Sequence, residues 1–151
     1  MDRIIMALAT GFYTGYLPKA PGTWGSLVGL PLHYLLSRLA FQTHLVILGI
    51  FFLAAVLIAG SAEKILDHKD PGVVVIDEIM GILITLMLAP ADFRIWILGF
   101  VLFRFFDIAK PFPISWVDRR INGGIGIVMD DVLAGLFSLL VLEGICRLLA
   151  V

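Results

Sequence analysis

The chain has 151 residues, enough for one domain, and 60% of them are hydrophobic, with a mean hydropathy of +1.03. This apolar share is far above that of soluble domains, so lipid is the expected solvent for much of the chain. A net charge of −1 excludes the basic excess typical of nucleic-acid-binding proteins, and the single cysteine, Cys146, excludes an intramolecular disulfide.

About five apolar helices are predicted, and they indicate an all-α, multi-span helical integral membrane protein. Only residues 43–60 form an uncharged run that is predicted to span a bilayer from its length and composition alone. The other helices are predicted from apolar composition and from bounding prolines and glycines, and their ranges are 26–40, 75–89, 95–106 and 132–149. With no internal repeat or linker, residues 1–151 form a single domain.

Charge placement predicts the orientation in the membrane. The positive-inside rule places eight of the eleven basic residues in the cytoplasm, namely Arg3, Lys19, Lys64, Lys69, Arg104, Lys110, Arg119 and Arg120. The same topology places ten of the twelve acidic residues on that side, all except Asp92 and Glu143. We therefore expect a polar cytoplasmic face where a metal ion and a lipid phosphate can meet.

The first motif, Ala-Pro-Gly-Thr-Trp-Gly-Ser at residues 20–26, precedes an apolar helix. Thr23 or Ser26 is predicted to cap this helix, whose N-terminal N–H groups suit an anion. The alternative is capping alone, with Trp24 as an interfacial anchor.

The second motif places Asp77 and Glu78 side by side in an apolar stretch that contains no basic residue. Acids at membrane depth are costly and usually functional. Because adjacent helical side chains diverge, both acids can serve one small site only with a partner helix or a metal ion. A favourable contact with the dipole of a helix N-terminus is the alternative.

The third motif contains Arg104, Asp107 and Lys110 at intervals of three. If the helix continues to Lys110, two cations and a carboxylate share one face, an arrangement that suits a phosphate beside a metal ligand. An intrahelical salt-bridge ladder is the alternative.

The fourth motif pairs Asp130 and Asp131 at the predicted start of the last helix. Gly135 follows Asp131 by four residues, as Gly81 follows Asp77, so close helix approach through these glycines should bring the acids together. Ordinary N-capping is the alternative.

These motifs supply an oxygen-rich set of carboxylates that suits Mg²⁺ or Mn²⁺. The predicted metal ligands are Asp77, Glu78, Asp107, Asp130 and Asp131. His33, His44 and His68 are scattered along the sequence and predict no zinc site.

The strings APGTWGS, VVVIDEIMG, FRFFDIAKPFPISWVDRR and GGIGIVMDDVLAG, in this order, resemble the phosphatidylglycerophosphatase A family. The resemblance implies a phosphoric monoester hydrolase of the bacterial inner membrane. Its expected reaction is the Mg²⁺-dependent hydrolysis of phosphatidylglycerophosphate to phosphatidylglycerol and phosphate, in phospholipid biosynthesis. The expected partners are this substrate and membrane lipid, with no nucleic acid, and a homo-oligomer is left open.

Residue roles combine the motifs with this resemblance. The predicted catalytic residues are Glu78, Asp107, Lys110 and Asp131; those predicted to bind substrate are Thr23, Ser26, Arg104, Arg119 and Arg120. Activated water and an aspartyl-phosphate intermediate both remain open as mechanisms. The rival functions are an ion or proton transporter, which also uses intramembrane acids, and a non-catalytic assembly partner whose acids hold helices together.

Overall fold

The computed structural model describes residues 1–149, and within that range it contains helices and turns but no strand. This confirms the all-α class for the described part of the chain. The helices in chain order are α1 (Asp2–Ala9), α2 (Pro21–Leu36), α3 (Phe41–Leu66), α4 (Ile76–Thr85), α5 (Phe93–Ala109), α6 (Ile114–Arg120) and α7 (Gly123–Leu149). A short 3₁₀ turn, Thr14–Tyr16, lies between α1 and α2.

Two helices begin five or more residues earlier than the sequence predicts. Helix α2 begins at Pro21 rather than at Ser26, because proline has its φ angle preset for the first helical position. Helix α7 begins at Gly123 rather than at Val132, so its glycines lie inside the helix and not in a loop. Asp130 and Asp131 therefore lie well within α7, and the prediction that they begin a helix is wrong.

Two of the described helices are long and apolar enough to cross a membrane. They are α3 and α7, with 26 and 27 residues and mean hydropathies of 2.7 and 2.1 in their most apolar windows. Helices α2, α4 and α5 have 16, 10 and 17 residues, below the roughly 20 that a perpendicular span needs. The structure thus supports membrane association through two candidate spans, and the prediction of five spans is not confirmed.

Helix α4 lies at the centre of the molecule, in contact with α2, α3, α5 and α7. Apart from its two acids and a threonine it is apolar or glycine on every side, and nine of its ten residues are buried. A helix without a polar face must be covered all round, and here its neighbours provide that cover. Asp77 and Glu78, in the first turn of α4, are consequently held between helices.

Backbones of α4 and α7 touch at two glycines. A Cβ atom added to Gly135 would lie 2.6 Å from the carbonyl oxygen of Gly81, and one added to Gly81 would lie 3.0 Å from the carbonyl oxygen of Asp131. This confirms the prediction that small residues let these helices approach closely. The contact holds Asp131 beside the first turn of α4.

We predict that Gly135→Ala lowers the melting temperature of the detergent-purified protein by roughly 3–6 °C. Overpacking typically costs about 1–3 kcal/mol, which exceeds the gain of about 1 kcal/mol that alanine brings to a helix interior. Gly144→Ala is the matched control on α7, because no atom lies within 4 Å of its added Cβ. Equal melting temperatures for the two variants would contradict this account of the contact.

Candidate active site

Three carboxylates from two helices converge at one end of the bundle. Asp77, Glu78 and Asp131 each offer one oxygen, and these oxygens lie within 4.8 Å of one another. We call these residues the carboxylate triad. Asp77 and Asp131 are only 8% and 3% exposed. The neighbouring helix α7 is thus the partner that two adjacent acids require in order to serve one site.

The unpaired oxygens of the triad fit a hard divalent cation. Oδ1 of Asp77 and Oε2 of Glu78 are buried and have no hydrogen-bond partner in the part of the chain that the structure describes. Removing a carboxylate from water without a compensating partner is costly, and three of them together also repel one another. An all-oxygen donor set is the chemistry that Mg²⁺ and Mn²⁺ prefer. Both acids also lie in the first turn of α4, where the helix dipole favours negative charge, as the alternative interpretation predicts.

Arg104 and Asp107 lie at the edge of the triad. Nη1 of Arg104 is 2.6 Å from Oδ2 of Asp107, which confirms that these residues share a face of α5. The charge of Asp107 in turn interacts with those of Glu78 and Asp131. Nε of Arg104 is buried and has no acceptor among the described residues, so the guanidinium has a donor that could bind an anion.

The first turn of α2 lies directly against these charged side chains. A Cβ atom added to Gly22 would clash with Oε1 of Glu78 and would lie 2.8 Å from Nη1 of Arg104. Only glycine allows the backbone of α2 to approach so closely. The glycine of the first motif therefore brings a helix N-terminus to the acidic site.

Thr23 and Ser26 do not cap α2, so the predicted capping is wrong. Both residues lie inside the helix, and its N-cap, Ala20, makes no side-chain hydrogen bond. Ser26 Oγ donates to the carbonyl oxygen of Gly22 at 2.7 Å and accepts a long bond from Arg104 at 3.5 Å. Ser26 is therefore placed at the site as a buried neighbour of Arg104, while Thr23 lies in the first turn of α2.

Lys110 leaves the helix and turns away from Arg104. Helix α5 ends at Ala109, and Lys110 adopts a left-handed conformation with φ of 40°. The next residue is proline, which disfavours the right-handed helical conformation in the residue before it. The predicted shared face of Arg104, Asp107 and Lys110 is thus wrong for Lys110.

Lys110 instead bridges α6 and α7. Its Nζ donates to Asp118 at 2.6 Å and to Asp130 at 2.7 Å. Burial alone would lower the pKa of Lys110, but the bonds to the two carboxylates outweigh it and raise the pKa above its usual range. Asp130 is consequently drawn towards Lys110 rather than into the triad, although its Oδ1 remains buried without a partner.

Asp118 is a further residue beside the site that no sequence motif singles out. It lies on α6, a seven-residue helix after Pro113 that is too short to show a periodic pattern. The same helix carries Arg119 and Arg120, which are exposed beside an open surface hollow of about 350 Å³ with Phe112 and Trp116. Both predicted lipid-binding arginines are therefore at the surface and outside the triad.

Two of the three histidines are not scattered in space. His33 and His44 are buried, with ring centroids 6.3 Å apart, and His33 also meets the edge of Trp96. They lie near the end of α2 and the start of α3, at the opposite end of α2 from Gly22. No third metal-ligating side chain joins them within residues 1–149, so the triad remains the metal candidate.

Comparison with known proteins identifies the family. The family model of phosphatidylglycerophosphatase A matches residues 7–146, a range that contains the whole triad. The chain belongs to this family. The family is named for a lipid phosphatase activity, so membership in it does not favour the transporter alternative.

Three curated relatives are similar over most of their length. Phosphatidylglycerophosphatase A of Escherichia coli is 40% identical over 87% of this chain and 77% of its own. The protein of that name from Haemophilus influenzae is 41% identical over 93% and 88%. A putative phosphatidylinositol-3-phosphatase of Bacteroides thetaiotaomicron is 37% identical over 89% of each chain. No solved structure matches the chain.

We predict that Asp131→Asn reduces phosphatase turnover by roughly 100-fold or more while the protein stays folded, because an anionic group at the reacting centre is lost. Its melting temperature without divalent cation should be unchanged or higher, because one buried charge is removed, and any stabilisation by added Mg²⁺ should be smaller than in the parent protein. Asp107→Asn is expected to lose most turnover as well, since this carboxylate interacts with the triad.

Asp92→Asn is the matched control for both substitutions. Asp92 caps α5 at the opposite end of that helix by accepting a 2.8 Å bond from the Arg94 backbone N–H, which asparagine can also accept. Glu63→Gln, outside the triad, should also be mild. Near-normal turnover of Asp131→Asn at saturating Mg²⁺ would remove this residue from the chemistry.

Proposed function

We propose that the protein hydrolyses the phosphomonoester of phosphatidylglycerophosphate to phosphatidylglycerol and phosphate, with Mg²⁺ as its cofactor. The observation that carries the proposal is the carboxylate triad, with its unpartnered buried oxygens, beside Arg104 in a chain of this family. Acids alone would suit an ion pathway equally well. The adjacent guanidinium and helix N-terminus add the donors that a phosphate requires.

The cation would be held by Asp77, Glu78 and Asp131, with Asp107 and Asp130 proposed as flanking ligands. A bound divalent cation supplies Lewis-acid stabilisation of the charge on the transferred phosphoryl group. Asp130 contributes less directly in this proposal, because one of its oxygens is bonded to Lys110. Lys110 accordingly acts by fixing Asp130 and Asp118 rather than by binding phosphate.

Arg104 would bind the phosphate oxygens. Its guanidinium is anchored through one nitrogen to Asp107 and Ser26, which sets its direction and leaves Nε available. The backbone N–H of Gly22 in the first turn of α2 provides a further donor at the positive end of the helix dipole, whereas the N–H of Thr23 already donates to the carbonyl oxygen of Ala20 at 2.9 Å. Arg119 and Arg120, at the surface of α6, would contact lipid headgroups.

The bond to phosphorus can be broken by either of two balanced routes. A water molecule can attack phosphorus while a carboxylate accepts its proton, and the glycerol alkoxide leaves with a proton as phosphatidylglycerol. Alternatively, a carboxylate oxygen attacks phosphorus and the glycerol oxygen leaves, taking a proton from a neighbouring acid to give phosphatidylglycerol. Water then attacks the phosphorus of the acyl phosphate, which releases phosphate and regenerates the carboxylate. Acid quenching during turnover followed by reduction with tritiated borohydride distinguishes them, because only the second route forms an acyl phosphate, which borohydride reduces to a labelled alcohol on the protein.

A phosphoinositide is the second candidate substrate, since one relative is named a putative phosphatidylinositol-3-phosphatase. Both lipids carry a phosphomonoester on a polyol that is joined to diacylglycerol by a phosphodiester. Assays of phosphate release from both lipids therefore belong in the same experiment. The higher kcat/KM identifies the preferred headgroup.

We further infer a multi-pass protein of the bacterial inner membrane whose active site faces the cytoplasm. The first turns of α2 and α4 and the last turn of α5 meet at the site, together with Lys110. Seven of the eight basic residues assigned to the cytoplasm lie near this end of the helices, namely Lys19, Lys64, Lys69, Arg104, Lys110, Arg119 and Arg120.

We predict that turnover requires a hard divalent cation. Excess EDTA should abolish phosphate release from phosphatidylglycerophosphate, and added Mg²⁺ or Mn²⁺ should restore it, because the donor set is entirely oxygen. The metal content of the assay is checked by mass spectrometry. Full turnover in EDTA with negligible residual metal would refute the metal-site proposal without refuting the phosphatase activity.

The predicted topology can be tested with two engineered cysteines in a Cys146→Ser background. Lys69→Cys should react with impermeant thiol reagents only from the cytoplasmic side, and Asp92→Cys only from the outer side. Right-side-out and inverted vesicles provide the two measurements. Labelling of both cysteines from the same side would overturn the proposed orientation.

A further inference from the structure

The open hollow on α6 is lined by basic and aromatic side chains and by no carboxylate. Arg119 and Arg120 line it together with Phe112, Ser115 and Trp116, and we call it the arginine hollow. Neither arginine forms an ion pair with any of residues 1–149. A hollow without acidic side chains lacks the ligands that a hard divalent cation prefers, whereas its two guanidinium groups suit an anion directly.

The arginine hollow is held beside the triad by contacts on both sides of its arginine pair. On the N-terminal side, Asp118 shares Lys110 with Asp130, which precedes a triad residue in the sequence. On the C-terminal side, a Cβ atom added to Gly126 would clash with the carbonyl oxygen of Ile121. Gly126 precedes Asp130 by one turn of α7, or roughly 6 Å at about 1.5 Å per residue. The two arginines are therefore anchored to the part of α7 that carries the triad.

Two aromatic side chains indicate that the arginine hollow lies at the level of the lipid headgroups. Phe112 is 78% exposed and Trp116 is 51% exposed, while α6 buries Ile114 and Val117 against the bundle. Exposed tryptophan beside arginine is typical of the membrane–water interface, where the ring meets the apolar part of a lipid and the guanidinium meets its phosphate. An anionic lipid would therefore contact both parts of the hollow.

The proposed substrate carries two phosphates of different kinds. Its phosphomonoester is hydrolysed, and one glycerol joins this group to a phosphodiester that remains in the product. The triad is acidic and would bind a phosphate through a cation, whereas the arginine hollow is basic and needs no cation. The two neighbouring sites thus differ as the two phosphates do, since one site is equipped for reaction and the other only for binding.

We propose that the arginine hollow binds the phosphodiester of the same lipid molecule whose phosphomonoester lies at the triad. The inference rests on the proposed function and deepens it, because it makes Arg119 and Arg120 determinants of substrate specificity. The contact adds binding energy from a part of the lipid that does not react. Phosphatidic acid, whose single phosphate is a monoester attached directly to diacylglycerol, cannot occupy both sites. Phosphatidylglycerophosphate and phosphatidylinositol 3-phosphate both can, because each carries a phosphomonoester and a phosphodiester.

Removing one arginine charge at a time tests the proposal. In mixed micelles of a neutral detergent, Arg119→Gln and Arg120→Gln should each lower kcat/KM for phosphatidylglycerophosphate about five-fold or more, mainly by raising KM, because the phosphodiester contact is the same before and during reaction. The matched control is Lys64→Gln, which removes one exposed positive charge at the same end of the helices but outside the hollow. Its kcat/KM should stay within about two-fold of the parent value, as expected for an isolated surface charge.

Two further lipids separate a phosphodiester site from a general attraction to anionic lipid. For phosphatidic acid, measured as a substrate or, if it is not hydrolysed, as a competitive inhibitor, the arginine variants should stay within about two-fold of the parent protein. Phosphatidylglycerol keeps the phosphodiester and lacks the monoester, so its inhibition constant should rise about five-fold in the same variants. Equal losses for phosphatidic acid and phosphatidylglycerophosphate would mean a general attraction only and would overturn the proposal. Unchanged inhibition by phosphatidylglycerol would overturn it as well.

The outcomes distinguish this inference from the proposed function. If the parent protein releases no phosphate from phosphatidylglycerophosphate or from the phosphoinositide, the proposed function fails. If the parent is active but both arginine variants keep its kcat/KM for phosphatidylglycerophosphate, the arginine-hollow proposal alone fails. The melting temperatures of the variants should equal that of the parent, because both side chains are exposed, and this measurement excludes misfolding as the cause of a loss.

Discussion

The contact between the backbones of α4 and α7 is the constraint on which the active site depends. With no side chain at Gly81 or Gly135, the two helices approach until one glycine lies against the carbonyl oxygen of the other. Lipid provides little hydrophobic force to associate helices, so close van der Waals packing of this kind has to hold them together. That packing places Asp131 within reach of Asp77 and Glu78, against their electrostatic repulsion.

Some acids in and around the triad are paired with basic side chains and others are not. This incomplete pairing distinguishes the cluster from a structural salt-bridge network. Lys110 neutralises Asp118 and Asp130, and Arg104 pairs with Asp107, whereas Asp77 and Glu78 each retain a buried oxygen that has no partner among residues 1–149. A set of acids that served only to hold helices together would be expected to satisfy its oxygens. The proposal of a bound cation rests on this remaining negative charge.

Much of this site could be predicted from the sequence because its signals are local. Asp77 and Glu78 stand out as charges in an apolar run, and the four-residue offsets to Gly81 and Gly135 predicted the helix contact. Lys110 lies off the predicted face of α5 because the proline that follows it disfavours the helical conformation, so the helix ends at Ala109. Helix α6, with seven residues, is too short for its sequence to show a helical period. The pairing of His33 with His44 depends on how α2 and α3 meet, which no local pattern records.

Helix α2 links two parts of the molecule that are distant in the sequence. Its segment before Pro31 has Gly22 against Glu78 and Arg104, and Gly25 and Gly29 against Val75 and Ile82. A side chain added at Gly29, about two turns from Gly22, would meet Ile82 and push the backbone of α2 away from α4. The spacing between α2 and the charged side chains is therefore set partly by an apolar contact that touches none of them.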